Sequence, residues 1–211
     1  MSQIKLLHSG GNGVILAAPS SNPAADRTLT LPGDADGTIA TTANAGKILQ
    51  VLSSSKSAAQ TINVNSTAAQ AIIGTEQNGS GSVFCVKITP SSASNKILFT
   101  ACLTLGMGGG ASYVQAFMKR DSTTLLPSTH GTGNSVNATF GRSGTGSSYY
   151  IENVGFTLLD SPNSTSEITY KVQLGKGDGS YITYINRPAT LDNQPYNTCG
   201  SSTLTVMEVA A

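Results

Sequence analysis

From about residue 58 onward the chain alternates apolar and polar positions in short runs. "SVFCVKIT" (82–89), "KILFTACLTL" (96–105), "SYVQAFMK" (112–119), "YYIENVGFTLL" (149–159), "EITYKVQLG" (167–175), "SYITYIN" (180–186) and "STLTVMEVA" (202–210) are strand-length and rich in Val, Ile, Thr, Tyr and Phe. In the second run Ile97, Phe99, Ala101, Leu103 and Leu105 share one face, and Lys96, Leu98, Thr100, Cys102 and Thr104 share the other. Turn clusters such as "PSSASN", "KRDSTT", "DSPNSTS" and "GKGDGS" separate the runs, with no helical period between them. Strands at this spacing predict an all-β, antiparallel sandwich of jelly-roll type.

Two polar inserts, 127–148 and 186–201, are longer than hairpins require, and long loops on a rigid sandwich are where recognition resides. Residues 1–57 read differently. Their short apolar triplets are broken by Pro, Asn, Asp and Gly, and "RTLTLPGDADGTIATTA" (27–43) has the form of a hairpin without a core. Such a hairpin is marginal alone. An extended, intertwined β-stalk, in which several copies bury one another's apolar residues, gives it a partner. The expected organisation is a fibrous attachment segment over 1–57 and a jelly-roll head over 58–211.

Ser, Thr, Gly and Asn supply 89 of the 211 residues, a composition of strands and turns. With 38% hydrophobic residues and a net charge of +1, the chain is expected to be ordered. Near-neutrality argues against nucleic-acid binding, which gathers Lys and Arg on one face. No apolar stretch approaches the roughly 20 residues of a membrane span, and the opening "MSQIKLLHSGG" lacks the apolar core of a signal peptide. Cys85, Cys102 and Cys199 have neither disulfide nor zinc spacing and are read as small hydrophobes.

Candidate chemistry is sparse. His8 and His130 lack a Cys or carboxylate at ligand or triad spacing, and there is no nucleophile elbow. "GDADG" (33–37) opens like a calcium loop but lacks its remaining ligands, and "GKGDG" (175–179) precedes a strand where a phosphate loop precedes a helix. Glycan hydrolysis needs two facing carboxylates. Asp121, Glu152, Asp160, Glu167, Asp178, Asp192 and Glu208 are available, but most sit at turns. The expectation is a non-catalytic protein without cofactor or metal.

The segments "PAADRTLTLPGDADGTIATT", "NKILFTACLTL", "AFMKRDST", "VGFTLLDSPNSTSEITYKVQL", "SYITYINRP" and "STLTVMEV" together resemble tail-fibre and related receptor-binding virion proteins of marine, cyanobacterial-type bacteriophages over roughly residues 14–209. That resemblance implies a homotrimer with a β-stalk and a distal head similar to the C1q and tumour-necrosis-factor modules, attaching the virion to its host. It further implies assembly in the host cytoplasm, residence in the virion, and docking of the N-terminal segment onto other tail, baseplate or adaptor proteins. The partners expected at the head are a host cell-surface glycan or an outer-membrane protein, with no nucleic acid and no membrane insertion. The first residues contain no recognisable virion-anchoring domain, so a short fibre, a subunit joined through an adaptor, or a truncated chain fits them.

Counting runs from 82–89 onward, with 124–126 as a short strand, gives eight strands and puts both ends of the head together. Loops 90–95, 120–123, 160–166 and 186–201 then fall at the far tip, and a count off by one strand puts 106–111 and 127–148 there instead. The first four loops offer Arg120, Asp121, Asp160, Asn163, Asn186, Arg187, Asp192, Asn193 and Tyr196 as the receptor-binding set, combining short polar groups with an aromatic. The alternatives are a decoration or scaffold trimer that binds no receptor, and a fibre-borne glycan hydrolase.

Overall fold

The computed structural model describes residues 3–7, 9–11, 13–17, 47–63, 70–71, 83–108, 110–131, 136–176 and 182–211. The chain divides into two units, 1–45 and 46–211. In the first, β1 (Gln3–Leu7) and β2 (Gly13–Ala17) form an antiparallel hairpin pairing Gln3 with Ala17 and Leu7 with Gly13. Gly11, in the turn, has φ 93°, where a side chain would be strained. The hairpin expected at 27–43 lies outside the described residues.

The second unit is all-β among its described residues: β3 (Ile48–Lys56), β4 (Gln60–Asn63), β5 (Gln70–Ala71), β6 (Cys85–Ile88), β7 (Lys96–Met107), β8 (Gly110–Arg120), β9 (Thr123–Thr124), β10 (Phe140–Gly146), β11 (Ile151–Asp160), β12 (Ile168–Lys176), β13 (Ile182–Ile185) and β14 (Ser202–Val209). In the first sheet, β7 is central. One of its edges carries β11. Its other edge carries β14 and then β13, end to end, with β3 and β4 outside them in the same arrangement. In the second sheet, β12 lies between β8 and the end-to-end pair β6 and β5, while β10 and β9 share the far edge of β8. Taking end-to-end pieces as one strand, the sheets read β3/4–β14/13–β7–β11 and β6/5–β12–β8–β10/9. With end-to-end pieces merged, successive strands alternate between the sheets as in a jelly roll, except for β8 and β10, which are neighbours in one sheet.

The core is the seam predicted by alternation. Ile97, Phe99, Ala101, Leu103 and Leu105 of β7 are buried and meet Val172, Leu174, Tyr170 and Met118 from the second sheet. The Phe99 and Tyr170 rings bridge the two sheets, 5.2 Å apart and tilted by 60°.

Three expectations are corrected. Residues 47–57 do not belong with the N-terminal segment: β3 pairs with β14 from Lys56↔Ser202 to Ile48↔Val209, so the division falls at 45/46 rather than 57/58. Residues 124–126 supply only the end of a two-residue strand. The full strand of that region is β10, inside the insert read as loop. Its "FGRSGTG" shows no alternation because three of its seven residues are glycine and fall on both faces, and at Gly141 a Cβ would sit 2.8 Å from the Val114 carbonyl oxygen.

Candidate functional site: the loops at the two ends of the sandwich

Strand register fixes which loops share an end. Ile48, Lys96, Asp160 and Val209 gather at one end of the first sheet. The turns after β6, β8 and β11 belong to that same end, because each leads from or into these strand termini. The chain therefore enters through β3 and leaves after β14 at one end, whereas the run 82–89, from which the count began, starts toward the opposite end. Loops 90–95, 120–123 and 160–166, however, sit at this entry end and not at the tip. The count failed because β13 and β14 run in the same direction along one edge of β7, so no reversal separates them. Loop 186–201 leaves from beside Gly106 and reaches the far end, where the β10–β11 turn lies.

The nine candidate residues thus divide. At the entry end, Arg120 Nη1 donates to both carboxylate oxygens of Asp160 at 3.0 Å and to the Ser161 carbonyl at 3.3 Å. Tyr170 Oη donates to Asp160 Oδ2 at 2.7 Å. This network ties β8 and β12 of one sheet to β11 of the other. Burial first, then the hydrogen bond to Asp160, pushes the Tyr170 hydroxyl far above its ordinary value. Asp121 has φ 52°; its N–H donates to Thr169 O at 2.8 Å, and Thr169 N–H donates back to its Oδ1 at 3.0 Å. Asn163 is exposed with φ 53°, a turn position.

Asn186 is not a surface group: it is 1% exposed. Its Nδ2 donates to the carbonyls of Lys56 and Ala58 at 2.7 and 3.1 Å, and its Oδ1 accepts from Ser202 Oγ at 2.7 Å. Its N–H donates to Thr104 O, and its carbonyl accepts from Gly200 N–H. The residue fastens the junctions where β3 gives way to β4 and β13 to β14.

The remaining four candidates stay together in the 186–201 loop. Arg187 donates to Thr61 Oγ1 at 3.0 Å and lies 4.7 Å from the Tyr184 ring centroid. Asp192 accepts from Tyr196 Oη at 2.9 Å and from Asn197 Nδ2, while Asn193 takes φ 57° in the turn between them. Desolvation raises the Asp192 carboxyl, but the bonds from Asn197, Tyr196 and local backbone N–H groups outweigh it and hold the group below its ordinary 3.8. The same bond to Asp192 pushes the Tyr196 hydroxyl up. Thr190 anchors the loop to the β10–β11 turn, donating from N–H to Ser148 O and from Oγ1 to Ser148 Oγ, both at 2.9 Å. The Tyr196 ring meets Tyr149 edge-on at 5.4 Å. Tyr196, Tyr150 and Leu191 remain 56%, 67% and 49% exposed. Tyr149 and Tyr150 lie outside the candidate set because the sequence reads them as the start of the strand run 149–159 and not as loop. The far end is therefore a pinned loop presenting aromatic faces beside a carboxylate and amides.

These features define a two-sheet antiparallel sandwich of jelly-roll order with one built-up loop cluster opposite its chain ends. No family model matches the chain, and no curated protein matches it. Among solved structures it is similar to infectious bursal disease virus of the Gt strain (13% identity, TM-score 0.35, 95% of this chain and 48% of that one). It is likewise similar to the Gx strain structure (12%, 0.34, 88% and 42%) and to the crystal structure of the same virus's VP2 subviral particle (13%, 0.34, 95% and 48%). The chain spans under half the length of each of these structures.

Proposed function

We propose that this chain is a non-catalytic virion fibre protein whose sandwich forms a homotrimeric head and meets a host cell surface with its far end. The observation that carries the reading is polarity: the chain enters and leaves at one end, and the exposed tyrosine–carboxylate cluster stands at the other. Support for a virion role is the resemblance to phage tail-fibre proteins together with the jelly-roll order. In this reading the N-terminal segment joins the head to other tail or baseplate proteins.

Self-association is supported by the outward face of the first sheet. Val51, Met207, Leu98 and Leu159 line up in register across four strands, with Val51 and Leu159 more than half exposed. The next row is Ser53, Thr205, Thr100 and Thr157, and neither row carries a charge. Flat rows of apolar and small residues suit packing against a copy of the same face. The absence of catalysis is supported by the engagement of these carboxylates within the fold: Asp160 by Arg120 and Tyr170, Asp121 by the Thr169 N–H, and Asp192 by Tyr196 and Asn197.

The test is adsorption of the labelled full chain to marine cyanobacterial cells. Binding that falls at least tenfold in a Tyr150→Ala/Tyr196→Ala double variant, with unchanged solution mass, is the expected result. An intact trimer that adsorbs to none of a host panel overturns receptor binding and leaves a decoration role.

A further inference from the structure

The outer face of the second sheet carries an open groove of about 570 Å³, on the flank of the sandwich and away from the loop cluster at the far end. Its volume lies within the roughly 300–1,000 Å³ of small-ligand sites. Lys87, Lys171, Thr169 and Gln173 line it from β6 and β12, and Asp121 and Ser122 form one end wall. Cross-strand register sets Thr169 opposite Lys87, and Lys171 opposite both Cys85 and Lys119. Three of the eight lysines in the chain are thereby placed on neighbouring positions of three adjacent strands, all on one face.

Two lysines directly opposite on paired strands repel. Lys119 is turned aside, donating through Nζ to Thr124 Oγ1 at 2.6 Å and to Ser122 O at 3.4 Å. Asp121 is the acidic residue of the lining, and its Oδ1 already accepts the Thr169 N–H. The fold thus keeps an unfavourable like-charge pair beside a groove whose remaining lining is the hydroxyl and amide groups of Ser122, Thr169 and Gln173, with Val83 and Cys85 as its apolar part.

We propose that this groove binds an anionic sugar unit of a polysaccharide, with Lys171 as the charge partner and Ser122, Thr169 and Gln173 as hydroxyl-recognising groups. Its openness along the sheet suits a polymer passing through, and the lack of any aromatic in the lining disfavours stacked nucleotide bases. The site goes beyond the far-end reading and does not depend on it.

The test is calorimetric titration of the full chain with tetragalacturonate at low ionic strength, beside a neutral galacto-oligosaccharide and inorganic sulfate. Binding of the acidic oligosaccharide is expected to weaken with added salt and to fall at least tenfold in Lys171→Ala. Lys171→Arg is expected to retain it, and Tyr196→Ala to leave it unchanged. Lys171→Ala should melt no lower than the parent, since it removes repulsion; Lys171→Gln repeats the measurement with the stem preserved. Undetected binding, binding by both charge-removing variants as tight as the parent's, or equal affinity for the neutral sugar or for sulfate would overturn the proposal.

Discussion

Asn186 and Glu208 are both buried polar residues, and each is held by everything around it. Asn186→Ala leaves the Lys56 and Ala58 carbonyls without their donor, and it forces alanine into φ 63°. The expected loss is about 2–4 kcal/mol, read as a lower urea midpoint at unchanged slope. Glu208 is fully buried and accepts from Ser91 N and Oγ, Asn95 Nδ2 and Gln50 Nε2 at 2.6–2.8 Å. Desolvation raises its carboxyl, but the bonds from Asn95, Gln50 and Ser91 prevail and bring it to about 2 from 4.5. A folded value below the unfolded one stabilises the protein above pH 4.5, and this contribution disappears as pH falls toward 2. The full shift corresponds to about 3 kcal/mol. Melting temperatures of the parent should drop across that window. Those of Glu208→Gln should start lower and change less.

At the scale of elements, the decisive feature is that several strands are built from two pieces. β13 and β14 abut along β7, β3 and β4 abut beyond them, and the loop between β13 and β14 is free to travel to the far end. That loop crosses Gly106, where a Cβ would lie 2.0 Å from the Arg187 carbonyl oxygen and 2.8 Å from Pro188 Cα. Backbone cannot yield as a side-chain tip does. Gly106→Val is therefore expected to displace the loop, exposing Tyr149 and Tyr196 to faster chemical modification and weakening adsorption, while the sandwich still folds. β3 is equally essential, since it covers the edge of β14 and brings Gln50 to Glu208. A chain shortened to residues 46–211 should show a cooperative thermal transition, and one beginning at residue 58 should not.

For the whole molecule, both ends of the sandwich strands emerge together, bound by Ala210 N–H to Lys47 O at 2.7 Å. Under the proposed function, a head tethered at one end would present the other, and three such heads would multiply weak contacts through avidity. Light scattering on the full chain is expected to give three times the 21.5 kDa chain mass. Leu98→Lys, a charge placed in the middle of the apolar row on the first sheet, should shift the mass toward the monomer. A monomeric parent would remove the basis for the trimeric head.

Strand content and the buried face of β7 were readable from the sequence, because alternation with a period of two is local and every residue carries its own share of it. The all-β class and the sandwich follow from that signal and from turn composition, whereas the chain ends meet only through the pairing of β3 with β14. What the linear pattern did not carry was the pairing. β13 and β14 look like two independent strands until their shared edge on β7 shows that the chain does not reverse between them, and this alone moved three loops from the tip to the entry end. β10 was concealed by its glycines, of which Gly141 is required by the close approach of β8, and β3 by serines whose pairing with β14 is long-range. Asn186 and Asp192 are equally polar loop residues in the sequence. Only the tertiary structure could bury the first among four chain segments and leave the second beside exposed tyrosines, because burial depends on which distant segments meet.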